Sequence, residues 1–246
     1  MSTLYVTEQG SHIRRRAGKL LVYKSSAVLQ AVPESQISQI VLMGSITPTT
    51  PVTVFCLNNQ IDLVYLSPAG QFRGRLYGDL HKLATLRQQQ YAKAQDASFR
   101  LKQARQIVFG KLSNLAYFAR RQERGEQTDI NRLRGLAQKA LSATSPESLL
   151  GLEGTGSAAY FKMFRRWLPD GWKFDGRSSH PPKDGVNAMM SLSYILLYNR
   201  LVGLLNVVGL DPYQGCYHAV KYGHAALASD LMEEFRPIFC DSLVLR

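Results

Sequence analysis

Near the C-terminus, one histidine, His218, stands ahead of three acidic residues, Asp230, Glu233 and Glu234, in a segment that runs from Gly215 to Pro237. Spacings of i, i+3 and i+4 put the three carboxylates on one face of a helix, and Pro237, with no backbone N–H to continue the ladder, marks that helix's end. Like charges that close repel one another, so a solvated helix gains nothing from the arrangement. A divalent cation turns the repulsion into attraction. Oxygen ligands with one imidazole suit Mg²⁺ or Mn²⁺ better than zinc, which prefers Cys and His.

Such residues need a scaffold, and 246 residues suffice for one large domain or two ordinary ones. Hydrophobic residues make up 45% of the chain and charged residues 20%, enough apolar surface to bury a core. Thirty Lys and Arg against eighteen Asp and Glu give a net charge of +12, which attracts polyanions, nucleic acid first and an anionic membrane surface second. The three cysteines, Cys56, Cys216 and Cys240, are scattered and form no CxxC pair, which argues against a disulfide framework or a zinc ribbon and for a reducing compartment. No secretory signal is visible at the N-terminus, and the longest apolar stretch, Ala188 to Leu197, falls short of a membrane span. The expectation is a cytoplasmic protein with no membrane partner.

Up to about Arg75 the pattern has period two. Short apolar runs at 3–7, 19–23, 37–42, 52–57 and 61–66 are separated by turn signals such as Gln9-Gly10, Ala17-Gly18, Gly44-Ser45, Asn58-Asn59 and Pro68-Ala69-Gly70. They predict an all-β, sandwich-like unit over residues 1–75, followed by a linker at 76–79. From residue 80 to 246 the texture is helical, with helices expected at 80–109, 112–124, 129–143, 146–167, 183–208 and 225–235. The fold class is therefore α+β. Between Arg87 and Lys139, twelve basic residues face four acidic ones, with Tyr91, Phe99, Phe109, Tyr117 and Phe118 interleaved. That pattern fits either a helical face with core aromatics or a surface that tracks phosphates. Arg14-Arg15-Arg16 falls in the first hairpin, as a solvated turn or a contact for DNA or a partner.

Several segments together carry a resemblance. They are LLGLEG at 149–154, PPKDGVNA at 181–188, GLDPY at 209–213, His218, Tyr222-Gly223, and DLMEEFRP at 230–237. In this order they resemble the CRISPR-associated spacer-acquisition integrase, the metal-dependent nuclease that inserts short DNA fragments into CRISPR arrays. The resemblance covers essentially the whole chain. It implies a metal, Mg²⁺ or Mn²⁺, on Glu153, His218 and Glu233, with Asp230 orienting a ligand or holding the ion through water. It also implies DNA contacts for Arg177, Lys183, Asn187 and Lys221, with structural duty as the other role open to Asn187. Ser178, Ser179, His180 and His224 depart from the arginines and lysines commoner at those places.

The activity implied is transesterification, in which the 3′-OH of an incoming fragment attacks a phosphodiester at the repeat boundary. With water in its place the same site would nick DNA. The implied partners are double-stranded and branched DNA, a second copy of the chain paired through the β domain, and a small CRISPR-associated protein bridging two dimers. Arg246 comes nine residues after Pro237, where members of the family continue with several more helices, so the chain reads as a truncated or a short member. The alternatives are a DNA-binding scaffold impaired in catalysis and a generic metal-dependent nuclease that only hydrolyses.

Overall fold

A computed structural model describes residues 2–68, 72–76, 84–122, 126–178 and 181–246. The chain divides into two compact units, Met1–His81 and Lys82–Arg246. The linker expected at 76–79 lies outside the described residues except for Leu76, as do parts of the expected turn at 68–70 and the start of the first expected helix.

The first unit holds two four-stranded sheets. Its elements are β1 (Ser2–Val6), β2 (His12–Arg16), β3 (Lys19–Lys24), β4 (Ala27–Pro33), β5 (Ile37–Met43), β6 (Thr47–Pro48), α1 (Thr50–Asn58), β7 (Asp62–Leu66) and β8 (Phe72–Leu76). One sheet runs β1-β5-β7-β8, parallel except at β7/β8. The other runs β4-β3-β2-β6, antiparallel except at β2/β6. Leu4, Ile13, Leu20, Ile40, Leu42 and Leu63 fill the core. The unit is not all-β, because the run at 52–57 expected as a strand is helix α1. Its buried residues Val52, Phe55 and Cys56 sit at i, i+3 and i+4, a helical period, and Pro51 suits a helix's first turn. The β-branched residues of that run masked the period. Within the arginine run, Arg15 pairs with Glu34 and lies over the Phe55 ring.

The second unit is helical: α2 (Ala84–Gln95), α3 (Ala97–Arg120), α4 (Gln127–Leu141), α5 (Pro146–Trp167), α6 (Gly185–Val207) and α7 (Ala226–Phe235). The break expected near residue 110 is at Asp96 instead, where the carboxylate accepts the N–H groups of Ser98 and Phe99 at 2.9 and 3.2 Å and caps α3. Gly110 is carried inside α3. The start of α5 is fixed by Ser145 and Ser148, which cap each other's backbone. Pro237 does not stop the chain from coiling, since it sits in a π-helical turn, Arg236–Asp241, that continues from α7. Tyr160, Met163, Phe164, Leu112, Leu133 and Leu149 form the main core, and a smaller cluster packs Leu201, Val202 and Leu205 of α6 against Ala228 and Met232 of α7. By length and composition alone α6 is apolar enough to cross a membrane, against the expectation drawn from Ala188 to Leu197. About 33% of the apolar window in α6 is buried, in part within these two cores.

The aromatics of the basic stretch divide between both of the roles open to them. Phe118 is core, whereas Tyr117 is exposed between the guanidinium groups of Arg120 and Arg121.

Candidate metal centre

Three helices and one loop meet at the predicted residues: α3 brings Lys111, α5 brings Glu153, α7 brings Asp230 and Glu233, and the loop before α7 brings Tyr217 and His218. The α3–α7 approach depends on Gly110. A Cβ there would lie 2.7 Å from the Glu234 carboxyl group, and one turn on, Asn114 donates to the Glu234 carbonyl at 2.8 Å. The next residue along α3, Lys111, is thereby set against Glu233.

Asp230 is fully buried and organises the loop. Its Oδ2 accepts the N–H groups of Cys216 and Tyr217 at 2.6 and 3.0 Å, and its Oδ1 accepts that of His218 at 2.8 Å. Any Cβ on Gly215 would come within 2.8 Å of both the Ala226 backbone and the Asp230 carboxylate, so the loop closes over the acid only with glycine there. The same Oδ1 lies 2.8 Å from His218 Nδ1, so that nitrogen carries a proton, and the ring turns its Nε2 toward Glu233 Oε1 at 3.9 Å.

Glu233 is 2% exposed. Oε1 lies 2.8 Å from the Arg236 guanidinium and Oε2 2.6 Å from the Lys111 ammonium, both as ion pairs. Burial by itself raises this carboxyl's pKa, but Lys111, then Arg236 and His218, outweigh it and hold the group below the usual carboxylate range. Lys111 Nζ is also 2.5 Å from Glu153 Oε1, while Glu153 Oε2 accepts from the Tyr217 hydroxyl. Burial and then this bond to Glu153 push the Tyr217 phenol up, so it stays a donor.

Glu234 does not join them. One residue turns a helix by about 100°, so its side chain leaves the face of Glu233 and packs on Gly110, where burial raises its pKa. The three carboxylates read as one face thus split into a loop anchor, a site residue and a packing residue.

A cavity of about 370 Å³ opens beside Lys111 and Glu233, lined further by Arg177, Tyr194, Arg236 and Asp241. Both guanidinium groups lie near the Tyr194 ring, Arg177 at 5.1 Å and Arg236 at 4.9 Å from its centre. Arg177 also donates to Asn187 Oδ1 at 3.0 Å and to Ser191 Oγ at 3.1 Å. Asn187 is fully buried; its oxygen accepts from Arg177 and from the Ser178 N–H, and its nitrogen donates to Gly176 and Asp184. A side chain so saturated cannot reach DNA; it pins the loop 176–178 to the start of α6. Lys183 and Lys221 are exposed. His224 stacks on Tyr198, and its pKa is lowered by burial and then by the nearby His218 and Lys221.

Sequence reasoning missed Lys111, Tyr217 and Arg236. For Lys111 a signal was present: it interrupts the apolar stripe Ala104, Val108, Leu112, Leu115 of an amphipathic helix, where a lone lysine needs a buried counter-charge.

The donor set suits a hard divalent cation, with two carboxylates turned to one cationic position and an imidazole nitrogen directed toward one of them. Among the described residues no three His, Cys, Asp or Glu side chains yet close around a single point, and it is Lys111 that fills the space between Glu153 and Glu233.

Comparisons with known proteins bear on the family and the fold. Residues 4–246 match the family model described as CRISPR associated protein Cas1. The chain is 34% identical over 247 residues to the CRISPR-associated endonuclease Cas1 3 of Thermus thermophilus, covering all of this chain and 74% of that one. It is also 34% identical over 255 residues to a CRISPR-associated exonuclease Cas4/endonuclease Cas1 fusion of Geobacter sulfurreducens, covering 98% of this chain but only 46% of the fusion. The chain thus spans less than half of that relative. The structure of TM1797, a CAS1 protein from Thermotoga maritima, superposes with a TM-score of 0.86 at 23% identity, covering 100% of this chain and 78% of that one, a likeness of fold. Structural neighbours include Cas1–Cas2 and Cas1–DNA complexes. With a family model matched from residue 4 to the last residue, this chain belongs to the Cas1 family of CRISPR-associated proteins.

Proposed function

We propose that the chain is a metal-dependent DNA endonuclease and integrase that joins short DNA fragments to CRISPR arrays. One observation carries the reading: Glu153 and Glu233 share a single buried cation position, at 2.5 and 2.6 Å, with His218 Nε2 turned toward Glu233. Glu153, Glu233 and His218 would hold Mg²⁺ or Mn²⁺, which when bound supplies Lewis acidity to a phosphodiester oxygen and lowers the pKa of an attacking hydroxyl.

The chain's own residues do the positioning. Tyr217 fixes one oxygen of Glu153, Arg236 fixes one oxygen of Glu233, and Asp230 fixes the tautomer and direction of His218. Arg177 and Arg236 give the adjoining cavity a cationic wall for phosphate oxygens. The 3′-oxygen of the incoming strand forms a bond to phosphorus as the 3′-oxygen of the target strand leaves with a proton. One phosphodiester replaces another, and no nucleotide triphosphate is consumed. Exposed Lys183 and Lys221 would hold DNA away from the chemistry. In the reading the resemblance supports, the β-rich unit pairs two copies of the chain, and two such pairs flank a small CRISPR-associated partner in the cytoplasm.

The test is strand transfer and cleavage of branched DNA with Mg²⁺, Mn²⁺ or EDTA. Glu153→Ala, His218→Ala and Glu233→Ala should each lower metal-dependent turnover by about 100-fold or more, with DNA binding retained. Undiminished turnover in all three variants would sink the assignment. Products that are cleaved and never joined would make the chain a hydrolytic nuclease.

A further inference from the structure

We propose that Lys111 is the resident counter-cation of the Glu153–Glu233 pair and that metal loading is an exchange, in which the divalent ion takes the place of the Lys111 ammonium. The inference rests on the metal reading above, and it concerns this chain's own lysine. Lys111 is 8% exposed, and its nitrogen touches one oxygen of each carboxylate, at 2.5 and 2.6 Å. A magnesium ion sits about 2.1 Å from its oxygen ligands, so it cannot share with an ammonium the space between those two oxygens. Either cation can hold the pair; both together cannot.

The charges favour the exchange. Lys111 and Arg236 together balance the two carboxylates, but only Lys111 stands at the position both of them face, with one charge where a divalent ion would bring two. A divalent ion neutralises the pair. The ammonium has room to withdraw, because Lys111 borders the cavity of about 370 Å³, though Arg177 and Arg236 line it too, so the ion's stronger hold on the carboxylates must drive the move. Its backbone meanwhile stays fixed in the middle of α3, where Gly110 and Asn114 hold the helix against α7. The lysine would thus keep the two carboxylates together before the ion arrives, while weakening the ion's affinity by competing for its place.

Calorimetric titration of the whole chain with Mn²⁺ tests this, wild type beside Lys111→Met and Glu153→Ala. Saturable binding to wild type, lost in Glu153→Ala and at least fivefold tighter in Lys111→Met, is the expected result. Equal or weaker binding by Lys111→Met would overturn the exchange and leave the metal reading standing. No saturable binding to wild type, or equal binding by Glu153→Ala, would overturn the metal reading itself. Should Lys111→Met fail to fold, the unaltered protein answers. Acetylation of Lys111, followed by mass spectrometry, should quicken at least threefold when Mn²⁺ is added. An unchanged or slower rate counts against displacement.

Discussion

The cavity beside the carboxylates has two acidic corners, and they solve the same problem in opposite ways. At one, Glu233 is compensated by cations, Lys111 and Arg236, which hold it ionised. At the other, Asp241 is 1% exposed and compensated chiefly by hydroxyls, from Tyr194 at 2.6 Å and Tyr160 at 2.9 Å. Burial raises the Asp241 pKa to about 6, against the hydrogen bonds of the two tyrosines and the charges of Arg236 and Arg177. Hydroxyls satisfy lone pairs without supplying a full opposing charge, so they build a core. Full charges keep a carboxylate available to a competing cation, so they build a site. The contrast explains why two equally buried acids, one in α7 and one at the end of the π-helical turn that follows it, serve different ends.

The sharpest way to break this contrast is at Asp230, a third buried acid held by backbone N–H groups. In Asp230→Asn the amide nitrogen would face donors that now point at a carboxylate oxygen. The expected cost is roughly 3 kcal/mol of stability by urea denaturation, along with a 10- to 100-fold fall in strand transfer as His218 loses its fixed tautomer. Glu233→Gln should instead lose turnover with a stability change of about 1 kcal/mol or less, because Lys111 keeps Glu153 as partner. Equal destabilisation by both would show that Glu233 is as structural as Asp230.

The pH dependence should also run in opposite directions. Asp241 binds its proton more tightly folded than unfolded, so its contribution is full below the ordinary value of 3.8 and is lost as pH rises toward 6. That loss amounts to roughly 2 to 3 kcal/mol for a shift of this size. Glu233, with its pKa lowered, contributes fully above 4.5 and loses that contribution as pH falls through its folded value. Urea unfolding between pH 4 and 7 should show a downward trend that Asp241→Asn weakens, leaving the smaller part due to Glu234, and that Glu233→Gln leaves in place. A slope unaffected by Asp241→Asn would mean that another group titrates there.

The sequence was most informative where period and motif agreed. The bounds of α5 follow from Ser145-Pro146 and the apolar period, and they were read to the residue. The LLGLEG, GLDPY and DLMEEFRP segments named Glu153, His218 and Glu233, which the fold brings to Lys111 or to one another. It was least informative where local pattern and tertiary packing compete. Val52 to Leu57 looks like a strand by composition yet spaces its buried side chains as a helix. Spacing also grouped Glu234 with Glu233, although the two diverge by a helical step. The stripe of α3 marks Lys111 as a lysine in need of a counter-charge, but its partners were hidden, because they come from helices some forty and some hundred and twenty residues away. No local period encodes such a pairing.

The mildest test concerns the approach of α3 to α7. In Gly110→Ala the added Cβ would stand 2.7 Å from the end of the Glu234 side chain, which is flexible and half-buried and can swing aside. Alanine in a helix interior is worth up to about 1 kcal/mol over glycine, so the gain in α3 offsets the cost of moving Glu234. The expected change in unfolding free energy is within about 1 kcal/mol of zero. Activity should fall more than stability does, by about 10-fold, because any remaining shift between α3 and α7, even of an ångström, moves Glu233 out of place relative to Glu153. Unchanged turnover together with unchanged stability would show that Glu234 yields alone and that the Lys111–Glu233 distance does not depend on the missing Cβ.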